Sequence, residues 1–187
     1  MTKRMWILAA VFALAMAAAA ATPGSAQGGY IGGVYSWTNL NVSGGTGTNP
    51  TGAGYKLFIG HEFYRFLGVE AGYTDFGQFK KTLEGSGTPT TVTFDGKGWD
   101  VAATFRIPIV NFLGIYGKIG YLFWTSDLSE AIGSLTSGSA SGNDVFYAAG
   151  LRFNLSAKIA LLAEWEQDRL GSDFKVDMVN AGLRLTL

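Results

Sequence analysis

The chain has 187 residues, with 27 glycines, 4 prolines, 14% aromatic residues and no cysteine, a length that suits one domain. Its 14 basic and 14 acidic side chains leave no net charge, which argues against a nucleic-acid partner. Without cysteine there is neither a disulfide framework nor a thiolate metal site.

In chain order, the first element is a leader. Thr2-Lys3-Arg4 is a positive start, Met5 to Ala21 is an unbroken apolar run, and Gly24 and Ala26 put small residues three and one before Gln27. This pattern predicts a signal peptide over residues 1–26, cut after Ala26, and export through the Sec pathway. The alternative is a single transmembrane anchor, but the run is alanine-rich and just short of the roughly 20 apolar residues a span needs. Cleavage removes Lys3 and Arg4 and leaves 12 basic against 14 acidic residues. No later stretch resembles a membrane helix, so residues 27–187, read as one domain, could cross a bilayer only as strands.

Beyond Gln27 the dominant period is two, the mark of strands. Eight segments follow: Tyr30–Asn39, Tyr55–Phe63, Phe66–Phe76, Trp99–Ile109, Phe112–Thr125, Val145–Asn154, Lys158–Gln167 and Lys175–Leu187. Each is close to the 9–11 residues of a tilted membrane strand. Long Gly/Ser/Thr-rich links at Leu40–Gly54, Gly77–Gly98 and Ser126–Asp144 alternate with tight turns at Tyr64-Arg65, Val110-Asn111 and Leu155-Ser156-Ala157. Long loops on one side and short turns on the other are the pattern of outer-membrane barrels. The last outer link, Asp168–Phe174, is short, and Thr90–Phe94 is a candidate to extend its hairpin beyond the membrane.

The two faces of these segments differ. Ile115, Ile119, Tyr121 and Phe123 oppose Tyr116, Lys118, Gly120, Leu122 and Trp124; Trp99, Val101, Ala103, Phe105 and Ile107 oppose Asp100, Ala102, Thr104 and Arg106. A soluble ligand-binding barrel would turn the apolar face inward, but the other face has too little charge and too much glycine for a solvated exterior. A membrane barrel turns the apolar face to lipid. Glu70, alone in the apolar run Phe66–Phe76, then points into the lumen and needs cationic partners there. The inward charges are Lys56, Arg106, Lys118, Arg152 and Arg184 against Glu62, Glu70, Glu164 and Glu166. They are expected to form a lumen ion-pair network, with glycines 32, 60, 68, 72, 120, 150 and 182 giving the charged side chains room. Trp37, Tyr55, Tyr73, Trp99, Phe123 and Tyr147 suit an interfacial belt. Trp124 has inward parity, which calls for a bulge or a cap on the lumen.

At this point the chain resembles the OmpA-type transmembrane domain. The segments that carry the resemblance are GGYIGGVYSW, GYKLFIGHEFYRFLGVEAGYTDFG, IYGKIGYLFW and IALLAEWEQ, in order and at this spacing. The resemblance implies an all-β fold, an eight-stranded antiparallel up-and-down transmembrane barrel in the bacterial outer membrane. Its implied surroundings are outer-membrane lipids and lipopolysaccharide. It implies a mid-barrel ion-pair gate with Glu70, Lys118 and Glu164 at matching inward positions. Leu162 and Thr104 stand where some members have Arg and Lys, and Arg152 where an acid is frequent, so the pairing must be rewired. Asn180, Gly182, Leu185 and Leu187 resemble the C-terminal signal read by the outer-membrane assembly machinery, although the family usually ends in Phe or Trp.

No catalytic, cofactor or metal site is assigned. The one histidine, His61, has outward parity near a short turn and is read as interfacial; no H-x-S pair and no His/Cys cluster accompanies it. Glu164 and Glu166 are read as salt-bridging rather than as paired acids. The expected function is a non-enzymatic, monomeric barrel serving envelope integrity or surface contact. A small channel with a charge-gated lumen is the alternative, and a lipid A-modifying enzyme built on His61 is a third reading.

Overall fold

The computed structural model describes residues 28–42, 51–83, 90–130, 138–170 and 174–187. The expected signal peptide at 1–26 lies outside these residues. Every regular element among them is a strand: β1 Gly29–Val42, β2 Thr51–Tyr64, β3 Leu67–Leu83, β4 Thr90–Val110, β5 Leu113–Glu130, β6 Gly138–Asn154, β7 Ile159–Leu170 and β8 Phe174–Thr186. Neighbours in sequence pair antiparallel, and β1 pairs β8 from Tyr30↔Thr186 to Val42↔Phe174, which closes the barrel. Closure satisfies the backbone groups that an edge would leave bare, as a hydrocarbon surrounding requires.

The strands outrun their expected bounds at the long-loop end. β3 and β4 stay paired up to Leu83↔Thr90, and β4 and β5 up to Val92↔Glu130. Much of Gly77–Gly98 and Ser126–Asp144 is therefore ladder rather than loop, and Thr90–Phe94 does continue its hairpin. Lipid thickness sets a minimum length for these strands, not a maximum, and β-branched Thr91, Val92 and Thr93 favour continuing the pleat. At the other end the turns are Arg65-Phe66, Asn111-Phe112 and Leu155–Lys158, so Phe66 and Phe112 leave the strands they were expected to start. Ser156 Oγ accepts from the N–H groups of Lys158 and Ile159 at 3.2 and 3.1 Å, closing the last turn.

Three register shifts bend the ladders, at Glu62/Tyr64, Asp75/Gly77 and Pro108/Val110. At the second, Gly77 has φ +77° and its N–H donates to Asp75 Oδ1 at 2.9 Å. A Cβ there would lie 1.9 Å from the Ala53 carbonyl oxygen, so glycine is required by both the dihedral and the space. Pro108, which cannot donate to a ladder, sits beside the third shift near the strand end.

The outer wall is apolar. Ile31, Leu57, Ile59, Phe105, Ile107, Ile115, Ile119, Leu161, Leu183 and Leu185 are all exposed, which no soluble monomer of this size would tolerate as a continuous belt. Above them runs an aromatic ring. Tyr35 meets Trp37 at 4.9 Å, Tyr55 meets Tyr73 at 6.4 Å, Tyr73 meets Trp99 at 4.9 Å and Tyr147 meets Trp165 at 5.8 Å. Tyr147 also donates to Gln167 Oε1, and Gln167 Nε2 donates to Asp177 at 2.6 Å, so polar contacts begin where the ring ends. This is the arrangement of an interfacial girdle.

Candidate functional site in the lumen

The period-two rule puts alternate residues of all eight strands inside, and eight strands enclose only enough room for side chains to fill. The lumen is built in three tiers. Next to the short turns, Glu62 of β2 faces three guanidinium groups, Arg184 at 2.7 Å, Arg152 at 3.1 Å and Arg106 at 3.7 Å. In the middle, Lys118 bridges Glu70 at 2.7 Å and Glu164 at 2.9 Å. Higher still, Lys56 bridges Glu166 at 2.9 Å and Asp100 at 3.1 Å.

Neutral polar groups join the tiers. Tyr30 lies under the Arg184 guanidinium, 3.5 Å from its ring centroid, and donates its hydroxyl to Glu70 at 3.1 Å. Asn180 Nδ2 donates to Glu164 at 3.1 Å and reaches Glu166 at 3.4 Å, and Thr74 donates to Asp100 at 3.4 Å. The result is one connected network from Glu62 to Asp100. Its two lysines are about 99% and 94% removed from solvent, so each depends on its carboxylates for its charge.

Beside the upper tier and beyond it, apolar side chains fill the rest of the lumen, starting at Ala102, Leu122 and Met178 across the ladder from Glu70, Asp100 and Glu166. Leu40, Phe76, Ala102, Leu122, Phe146, Val176 and Met178 form a packed layer with Trp124 against it. Trp124 Nε1 donates to Asp144 at 2.8 Å. Its inward parity is thus a cap on the lumen rather than a bulge.

All nine inward charged residues expected from the sequence lie in the lumen, and each takes part in an ion pair. The charge count needs correction. Asp100, Asp144 and Asp168 also point inward, so carboxylates outnumber cations in the upper tiers. Asp168, expected in a link, is fully buried on β7 opposite Phe146. The glycines need correction too. Five inward aromatic rings each lie directly across the ladder from a glycine: Tyr30↔Gly60, Phe58↔Gly32, Phe146↔Gly120, Tyr116↔Gly150 and Trp124↔Gly142. A Cβ on Gly60 would come within 2.2 Å of the Tyr30 ring. The room goes mainly to aromatics, which in turn carry the cations. Lys56 Nζ is 4.6 Å from the Phe146 centroid, and Lys118 Nζ is 5.0 Å from Phe58. This aromatic–glycine pairing across the ladder was readable in principle, since inward parity and facing glycines both lie in the sequence.

Leu162, where the resemblance suggested a charge, packs with Tyr30, Val34, Phe58 and Tyr116. Of the C-terminal residues, Asn180 is buried in the network and Gly182 points inward against β1, while Leu185 and Leu187 are exposed on the outer wall. His61 has the outward parity of Leu57 and Ile59 but is buried, with its ring 5.0 Å from Phe63 and no hydrogen-bond partner among the described residues. Glu62, the carboxylate beside it in sequence, is on the opposite face in the arginine cluster.

Comparison with known proteins agrees with this geometry. Residues 7–186 match the family described as the outer membrane protein beta-barrel domain. The chain is 30% identical over 145 residues to Outer membrane protein A of Yersinia pseudotuberculosis serotype I, covering 73% of this chain and 36% of that one. It is 26% identical over 147 residues to Outer membrane protein A of Klebsiella aerogenes, covering 73% and 40%. The chain thus spans about two fifths of the length of such relatives. Among solved structures it is similar to Ail, the attachment invasion locus protein of Yersinia pestis, at 25% identity and TM-score 0.55, covering 84% of this chain and 99% of that one. Neisserial surface protein A shares the fold at 13% identity and TM-score 0.64, covering 89% and 100%. A closed eight-stranded barrel, apolar outside and charged inside, therefore has its place among such proteins, and the chain belongs to the outer membrane protein beta-barrel domain family.

Proposed function

We propose that the chain is a non-enzymatic outer-membrane barrel with a sealed lumen, serving envelope integrity or surface contact. The observation that carries this reading is the filled interior: a connected ion-pair network from Glu62 to Asp100, topped by the Trp124 layer. A solute would have to separate both. The surface-contact part is supported by the similarity to a protein named for attachment and invasion. Barrel closure at β1–β8 supports a monomer, since no edge asks for a partner. In this reading the leader at 1–26 is removed after Sec export. The assembly machinery then reads the last strand, chiefly through the outward Leu185 and Leu187, because Asn180 and Gly182 are engaged in the lumen.

The small channel remains a second reading because the lower lumen is not fully packed. A cavity of about 30 Å³ lies between Glu62 and Lys118, below the mid-barrel tier. Planar-bilayer recordings of the refolded protein separate the two. The sealed barrel gives no discrete current steps. A charge-gated channel gives steps in wild type that change with Glu70→Gln or Lys118→Gln. The enzyme reading would require an altered lipid A mass on overexpression that is lost with His61→Ala.

A further inference from the structure

The ion pairs balance in neither half of the lumen. In the upper two tiers, two lysines pair with Glu70, Glu164, Glu166 and Asp100, and a further carboxylate, Asp168, is buried near Lys56. At the short-turn end, one carboxylate, Glu62, faces Arg106, Arg152 and Arg184, which leaves a surplus of two positive charges. Those guanidiniums are not saturated. Arg106 Nε and Arg184 Nε are buried and have no acceptor among the described residues. Arg106 also gives one Nη hydrogen to the Arg65 carbonyl at 3.1 Å, and Arg152 Nε donates to Asn154 Oδ1 at 2.8 Å, so the fork of each is held in place.

Two of these arginines line an opening. A cavity of about 580 Å³ lies below Arg106 and Arg152, with Glu62, Asn111, Asn154 and Ser156 also in its lining, while Arg184 sits deeper, on Glu62. That volume is within the range of small-molecule sites, about 300–1,000 Å³. Three converging cations with one counter-charge repel each other in a half-buried site, and the repulsion is relieved by an incoming anion. Planar guanidinium forks bind phosphoryl oxygens in bidentate fashion. The surplus of two charges suits a phosphoryl anion, whether a dianionic phosphate monoester or a monoanionic phosphodiester.

We propose that the short-turn mouth of the barrel is a binding site for a phosphoryl anion, gripped by Arg106 and Arg152, backed by Arg184, in competition with Glu62. Two sources share that chemistry, a free phosphate ester in the periplasm and the headgroup of an inner-leaflet phospholipid.

The test uses the folded chain in a phosphate-free sugar detergent, with heat-dependent gel mobility confirming that each variant is folded. Inorganic phosphate and glycerol phosphate are titrated by calorimetry at constant ionic strength. For a free anion, wild type binds saturably, Arg152→Gln weakens binding roughly tenfold, and Glu62→Gln strengthens it by a similar factor because the competing carboxylate is gone. For a headgroup source, the soluble ions give no heat. Phosphatidylglycerol nanodiscs, but not uncharged-glycolipid ones, then shift the arginine side-chain NMR signals, and Arg152→Gln abolishes the difference. If a variant fails to fold, Asn154→Ala replaces it, with weaker binding expected. The proposal is overturned if neither phosphate source acts on wild type, or if its effect is the same in the folded variants.

Discussion

Single side chains in this barrel carry more than their usual share of the fold because the lumen has so little room. Lys118 holds two carboxylates at hydrogen-bond distance while being itself buried. Its replacement by methionine leaves Glu70 and Glu164 without their counter-charge, and should destabilise the barrel by about 3–5 kcal/mol. Urea unfolding in lipid vesicles measures this. A double variant that also carries Glu70→Gln should recover part of the loss, and a strictly additive result would show that the pair is not coupled. The charges of this network were legible in the sequence because a charge in an apolar strand has only one tolerable direction. Asp168 was not legible in this way. The Gly171-Ser172-Asp173 run just beyond it reads as a link, and nothing local shows that pairing with β6 and β8 continues to that position. Tyr30, Phe58 and Phe146 escaped for another reason. Aromatic residues in a membrane strand suggest the lipid face, and only their parity together with the glycine across each ladder marks them as inward.

At the scale of strands and turns, two kinds of position should respond very differently to substitution. Ala103 on β4 faces out between Val101 and Phe105, within the lipid belt. An arginine there should cost about 2–4 kcal/mol, falling toward about zero at the interface, as read by vesicle unfolding of an Arg scan along the outward face of β4. A flat profile along that scan would argue against a bilayer around the strand. Gly77→Ala should cost about 1–3 kcal/mol for a different cause, the left-handed dihedral and the approach to the Ala53 carbonyl. Gly77→Asn should cost less on the dihedral side, and the two together separate strain from crowding. Strand order and inward parity followed from the period-two pattern. The upper strand ends did not, because the pattern that marks a lipid-facing strand fades once both faces meet water, while the backbone ladder of β3 to β6 continues.

The whole molecule is defined by one inversion: the apolar face is outside and the charges are inside. The closed hydrogen-bond ladder, the girdle from Tyr35 to Trp165 and the tiered lumen all depend on it. The tryptophans report on it directly. Trp37, Trp99 and Trp165 are exposed on the outer wall, whereas Trp124 lies inward with its Nε1 on Asp144. The decisive measurement is fluorescence quenching by lipids brominated on their acyl chains, made on variants of the membrane-inserted protein that each keep one of these tryptophans. Trp99 and Trp165 should be strongly quenched, and Trp124 should be nearly untouched. Quenching of Trp124 as strong as that of Trp99, or no quenching at any of them, would contradict the inverted barrel and the sealed lumen built on it.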